Sequence, residues 1–136
     1  MFKPHIRPKA TACAVLTTGA RAVTGVRPIR LVAIACDTYM IMDVIHDWDD
    51  DRAAAILSAV HNAASPQTRL LLIEAIIPDV PGPDWSKTLD IVMLILPGGR
   101  QRTRSEHESL LHTVGFRLER VIPTASDVSI LEAVPV

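Results

Sequence analysis

The sequence has few cysteines, and their spacing does not suit a metal site. Cys13 and Cys36 are the two cysteines among 136 residues, and neither belongs to a CxxC pair or lies beside a pair of histidines. A thiolate zinc site needs clustered ligands, so this spacing excludes one and we expect no metal. A reducing cytoplasm is the expected compartment for such a chain.

Long apolar runs are also missing. A membrane-spanning helix needs about 18 or more apolar residues without charges, and the stretch from Leu31 to Ile45 is interrupted by Asp37 and Asp43. We therefore expect no membrane partner. The composition, 49% hydrophobic and 21% charged, is that of a globular domain with a substantial core.

Acidic residues are absent from the first 36 positions, which carry six lysines and arginines. These basic residues are scattered, without the amphipathic repeat of a transit peptide or the interleaved aromatics of a nucleic-acid arm. We expect no nucleic-acid partner. Segment 1–36 is interpreted as a basic N-terminal segment whose sequence specifies its structure poorly. Within it, residues 1–30 are predicted to be loop or disordered because they show neither strand nor helix periodicity.

Residues 37–136 show strand and helix patterns in alternation, which we interpret as one folded domain. The strands predicted from apolar runs are 38–45, 70–73, 116–122 and 128–134. The helices predicted from helical spacing are 49–64, 89–96 and 105–114, the last of them capped by Ser105. The pattern predicts an α/β fold whose sheet is mostly parallel and has an antiparallel pair at one edge.

Two titratable side chains follow two predicted strands. His46 ends the first apolar run and Glu74 follows the second. Parallel sheets place ligands beyond the carboxyl ends of their strands, so we expect both side chains in one crevice. Two alternatives stay open at this point: a lone histidine after a strand is more often a surface or capping residue, and Glu74 could be a solvated acid at a strand end.

The string Asp-Val-Ile-His-Asp-Trp-Asp-Asp at 43–50 resembles the catalytic segment of the S-adenosylmethionine-dependent small-molecule O-methyltransferases of the caffeate, hydroxyneurosporene and anthracycline types. Further matches to the family, in its order, are Leu-Leu-Leu-Ile-Glu-Ala-Ile-Ile-Pro at 70–78, Leu-Asp-Ile-Val-Met-Leu at 89–94, Gly-Gly-Arg-Gln-Arg-Thr at 98–103, and residues 106–116. The resemblance covers residues 37–136. It implies the C-terminal half of a Rossmann-like class I methyltransferase fold and therefore a partial catalytic domain.

The resemblance also implies roles for two residues. His46 matches the general base, which takes a proton from a hydroxyl of a small aromatic or polyketide-like substrate; an imidazole suits this task near neutral pH. Glu74 matches the carboxylate that orients the histidine. The family's second glutamate corresponds here to Gln101, an amide that cannot offset positive charge on the imidazole.

The implied cofactor is S-adenosyl-L-methionine. Asp47 and Trp48 match positions beside it, although Trp48 could equally be a core residue. Asp90 and Met93 match a helix that borders the substrate pocket, although methionine at helical spacing is more often core. The family often has a lysine four residues before its histidine, where this chain has Met42.

The segment before Asp37 has no GxGxG motif and no acid to bind a ribose. Two interpretations follow: an O-methyltransferase, or a truncated, non-catalytic remnant of one that keeps the motifs without a working site. A third possibility is that an exposed sheet edge self-associates or pairs with another chain that supplies the missing half.

Overall fold

Strands and helices alternate along the chain. The structure is a computed structural model that describes residues 12–17, 35–96 and 98–136. The strands are β1 Ala12–Thr17, β2 Thr38–Met42, β3 Arg69–Glu74, β4 Ile76–Ile77, β5 Arg102–Thr103, β6 Phe116–Pro123 and β7 Ser129–Pro135. The helices are α1 Asp50–Ala63, α2 Trp85–Ile95 and α3 Arg104–Thr113.

The main sheet has five strands in the order β1-β2-β3-β7-β6. Strands β1, β2 and β3 run parallel to one another, whereas β7 lies antiparallel to both β3 and β6. Parallel neighbours need a long crossover, which α1 provides between β2 and β3. The prediction of a parallel sheet with an antiparallel pair at one edge is confirmed.

The prediction for residues 1–30 is wrong at one place. Ala12–Thr17 forms strand β1, which pairs in parallel with β2 and matches Ala12 to Thr38 and Thr17 to Met42. The short run Ala-Cys-Ala-Val-Leu-Thr has no turn residue within it, and tertiary pairing with the neighbouring strand decides its conformation. The rest of that prediction lies outside the described residues.

Three predicted boundaries also shift. Strand β2 ends at Met42 rather than Ile45, because Asp43 adopts a left-handed conformation with φ 52°. Helix α2 begins at Trp85, four residues before the predicted start, since the Asp84 carboxylate caps it by accepting a bond from the Ser86 amide. Thr103, not Ser105, caps α3 in a reciprocal capping box with Glu106.

The core lies between the main sheet and the apolar faces of α1 and α3. Its buried members include Tyr39 and Ile41 from β2, and Leu70 and Leu72 from β3. Helix α1 contributes Ala53, Ile56, Leu57 and Val60, and α3 contributes Leu110 and Leu111. This packing holds the ends of β2 and β3 in fixed positions. None of the helices that the structure describes has the length and apolar character required to cross a membrane.

Candidate active site

His46 and Glu74 meet at the carboxyl ends of β2 and β3. The Nδ1 atom of His46 lies 2.7 Å from Oε2 of Glu74, and the exposed fractions of the two residues are 8% and 0%. His46 is therefore not a surface residue, and Glu74 is not a solvated acid. A carboxylate accepts only, so this contact requires the hydrogen on Nδ1 and leaves the lone pair of neutral His46 on Nε2.

Local backbone geometry fixes the carboxylate of Glu74. Its second oxygen, Oε1, accepts hydrogen bonds from the amides of Val44 at 3.2 Å and Ile45 at 2.8 Å. These amides point at Glu74 because the chain leaves the sheet at Asp43 and continues as a 3-10 turn, Ile45–Asp47. The end of β2 is thus tied to the end of β3 through one buried side chain.

Acidic groups surround the imidazole. Oδ1 of Asp47 lies 3.4 Å from Nε2 of His46, on the side away from Glu74. Burial lowers the pKa of His46, but the hydrogen bond to Glu74 and the charges of Glu74, Asp47 and Asp43 outweigh burial and raise it overall. Burial, assisted by the charge of Glu74, raises the pKa of both Asp43 and Asp47. The site therefore favours a positive charge at His46.

The loop of residues 98–101, which joins α2 to β5 and is called the loop below, packs directly on the backbone of His46. The Arg100 amide donates to the His46 carbonyl at 2.9 Å. A Cβ atom at Gly99 would lie 2.0 Å from that same carbonyl oxygen, so only glycine permits this approach. The amides of Gly98 and Gly99 both donate to the Met93 carbonyl, which ties the loop to the end of α2.

Arg102 ties the segment that follows β2 to the same loop. Its guanidinium is buried and donates to the carbonyls of Ile45 at 3.1 Å and Trp48 at 3.0 Å, on either side of His46. It also contacts Oδ1 of Asp50 at 2.7 Å. The sequence interpretation did not single out Arg102 or Gly99. The Gly-Gly-Arg-Gln-Arg-Thr string was the available signal, but it does not show which backbone atoms the loop contacts.

The other predicted site residues lie around this centre. Trp48 packs against the core, and the guanidinium of Arg52 lies 5.8 Å from the centre of its ring. Asp90 accepts the Gln101 amide at 2.8 Å, so Asp90 and the Met93 carbonyl both hold the loop. The amide side chain of Gln101 is buried, and neither of its polar atoms has a partner among the described residues. Roles for Asp47, Trp48, Asp90 and Met93 toward ligands stay predictions.

Comparison with known proteins shows to which family this chain belongs. The profile of the O-methyltransferase domain matches residues 30–117, which include His46, Glu74 and the loop. The chain belongs to the O-methyltransferase family. A phenazine O-methyltransferase from Lysobacter antibioticus is 42% identical to it over 100 residues, which are 74% of this chain.

Solved members of the O-methyltransferase family share the fold. The crystal structure of a Lysobacter phenazine O-methyltransferase superposes with a TM-score of 0.77 at 39% identity and covers 83% of this chain. An O-methyltransferase from neocarzinostatin biosynthesis, solved with S-adenosylmethionine and 2-hydroxy-5-methyl naphthoic acid, superposes at 0.67 with 31% identity over 76% of this chain. The chain spans 29% of the length of the phenazine enzyme, and 34% and 30% of the two solved chains.

Proposed function

We propose that this chain carries the general base of an S-adenosylmethionine-dependent O-methyltransferase reaction, with His46 as the base and Glu74 as its orienting partner. The observation that carries the proposal is the buried contact of 2.7 Å between Nδ1 of His46 and Oε2 of Glu74. With Nδ1 committed to the carboxylate, Nε2 is the atom that takes the proton of a substrate hydroxyl.

The surrounding acids suit this role. When Nε2 accepts a proton the ring becomes an imidazolium, which Glu74 stabilises from one side. Asp47 lies 3.4 Å from Nε2 and places a second negative charge on the other side. This carboxylate supplies the compensation that Gln101 cannot give at the position of the family's second glutamate.

The residues beside His46 are compatible with the cofactor. Asp47 presents a partly buried carboxylate, and Trp48 offers an aromatic ring next to it. The excess of carboxylates at this end of the sheet favours a cationic ligand such as a sulfonium. When bound, S-adenosylmethionine supplies an electrophilic methyl group. The role of the chain's own residues is to hold the substrate hydroxyl beside Nε2 and to accept its proton.

The acceptor is proposed by class only. The solved relative from neocarzinostatin biosynthesis holds 2-hydroxy-5-methyl naphthoic acid, a hydroxylated aromatic molecule. A phenolic or polyketide-like hydroxyl fits a histidine base because the phenol loses its proton more readily than an aliphatic alcohol. Pairing with a second chain through a sheet edge stays a prediction, and β1 and β6 are the edges of the main sheet.

The test is transfer of a labelled methyl group from S-adenosylmethionine, at saturating cofactor, to a panel of hydroxylated aromatic acids. Removing a positioned base typically costs roughly 10²- to 10⁴-fold in rate, so His46→Ala should lower the rate of methyl transfer by about 10²-fold or more. Glu74→Gln should lose less, because an amide oxygen still accepts the Nδ1 hydrogen. His112→Ala, at an exposed histidine near the end of α3, is the matched control.

Two results would contradict the proposal. Equal rates in the wild-type chain and His46→Ala would remove His46 from the reaction. No transfer by a folded chain, even at saturating cofactor and across the whole panel, would favour a non-catalytic remnant.

A further inference from the structure

Three side chains with metal-binding atoms converge at the end of β2. Asp43, His46 and Glu74 each present one ligand atom, and these atoms lie within 4.8 Å of one another. His46 and Glu74 are buried and Asp43 is partly buried. Against the expectation of no metal, which rested on the cysteines alone, we propose that these three residues form a site for a divalent transition metal, with Zn²⁺ as the best match, and that the metal and a substrate proton compete for His46.

The charge balance of the cluster favours a cation. Three carboxylates, those of Asp43, Asp47 and Glu74, lie around one imidazole. Among the described residues, no lysine or arginine forms an ion pair with any of the three. Even a protonated His46 leaves an excess of negative charge. A divalent ion would neutralise this excess in a partly buried setting, where unpaired charge is costly.

The geometry needs little adjustment. Two ligand atoms on a tetrahedral zinc ion, each about 2.1 Å from the metal, lie roughly 3.4 Å apart. Nδ1 of His46 and Oε2 of Glu74 are already 2.7 Å apart. The amides of Val44 and Ile45 hold the other oxygen of Glu74, so this ligand is preoriented. A carboxylate oxygen of Asp43 already lies within 4.8 Å of the other two ligand atoms and would be the third ligand, with water completing the set.

The ligand types select the metal. An imidazole nitrogen with carboxylates suits zinc and similar transition ions, whereas Mg²⁺ and Ca²⁺ prefer oxygen ligands alone. A metal on Nδ1 moves the ring hydrogen to Nε2, where Asp47 lies 3.4 Å away. Metal-bound histidines commonly donate their other ring N–H to a carboxylate in this way. With its lone pair on the metal, His46 can no longer accept a substrate proton, so binding and base catalysis exclude each other.

The test is calorimetric titration of the purified chain with zinc chloride in a metal-free, weakly coordinating buffer. We expect one ion per chain. Loss of an outer partner typically costs roughly 10- to 100-fold in metal affinity, so loss of a direct ligand in Asp43→Asn should weaken binding at least about tenfold. Asparagine is also tolerated in the left-handed conformation of residue 43, which preserves the backbone there. Asp127→Asn, at an exposed turn, is the matched control.

A second measurement does not depend on the variants. In the wild-type chain labelled with ¹⁵N-histidine, zinc should shift the Nδ1 resonance of His46 and leave a protonated Nε2. Neither measurement requires methyl transfer, so the metal site and the proposed function can fail separately. The proposal is overturned by an absence of saturable binding, by equal affinities in Asp43→Asn and Asp127→Asn, or by an Nδ1 resonance of His46 that zinc leaves unchanged.

Discussion

His107 should make the protein sensitive to mild acid. Its side chain on α3 is buried, and neither ring nitrogen has a hydrogen-bond partner among the described residues. Burial is the main cause that lowers the pKa of His107 to about 4, and the nearby positive charge of Arg102 adds to it. The negative charges of Glu74, Glu106 and Asp50 oppose this shift without cancelling it.

The direction in which stability changes with pH follows from the linkage between protonation and folding. Between pH 6.5 and 4 the unfolded chain carries the extra proton on His107 and the folded chain does not, so stability is full above pH 6.5 and falls as the pH drops toward 4. The whole shift corresponds to about 3 kcal/mol in the free energy of unfolding, of which about 2 kcal/mol is lost by pH 5.

The assay is urea unfolding at a series of pH values for the wild-type chain and His107→Leu. Leucine has a similar volume and does not titrate, so its difference from wild type isolates His107 from the carboxylates and from His46. We expect the wild-type chain to lose about 2 kcal/mol more than the variant between pH 7.5 and pH 5. Parallel pH profiles for the two proteins would show that His107 does not cause the loss of stability in acid.

Three further predictions concern the loop and the cofactor. Gly99→Ala should destabilise the fold by about 2 kcal/mol or more and shift the His46 resonances, because the added methyl would meet the His46 carbonyl; His46 resonances that stay in place would contradict this contact. Arg102→Met should lower the free energy of unfolding, measured by urea unfolding, by about 3 kcal/mol, because it leaves the Ile45 and Trp48 carbonyls without their donor. A loss below about 1 kcal/mol would contradict the role given to Arg102. Calorimetric titration should show only weak binding of S-adenosylmethionine, since the segment before Asp37 has neither GxGxG nor an acid; a micromolar dissociation constant, roughly −8 kcal/mol, would show a site that these motifs do not build.

The sequence predicted most strands and helices of residues 37–136 because their apolar periodicity is strong. It also placed His46 and Glu74 at adjacent strand ends, which the parallel arrangement of β2 and β3 brings into contact. It missed β1, a short strand whose conformation depends on pairing with β2. It missed the left-handed turn at Asp43, since aspartate adopts that conformation only where the surroundings require it.

The sequence also could not predict the contacts that the loop makes. The parallel pairing of β4 with β5, at two residues each, brings Arg102 beside the end of β3. Strands so short leave no periodic signal. The bonds from Arg102 to the carbonyls on both sides of His46 arise from that pairing, so the motif could indicate a functional segment without showing how it acts.

In the proposed function, Glu74 fixes the ring of His46 so that Nε2 is the basic atom. The most direct test is ¹⁵N NMR of the histidine side chains in metal-free solution at about pH 9, above the ordinary pKa of histidine. We predict that neutral His46 carries its hydrogen on Nδ1, with an unprotonated Nε2, and that Glu74→Ala abolishes this preference. A hydrogen on Nε2 in the wild-type chain, or the same tautomer in Glu74→Ala, would contradict this role of Glu74.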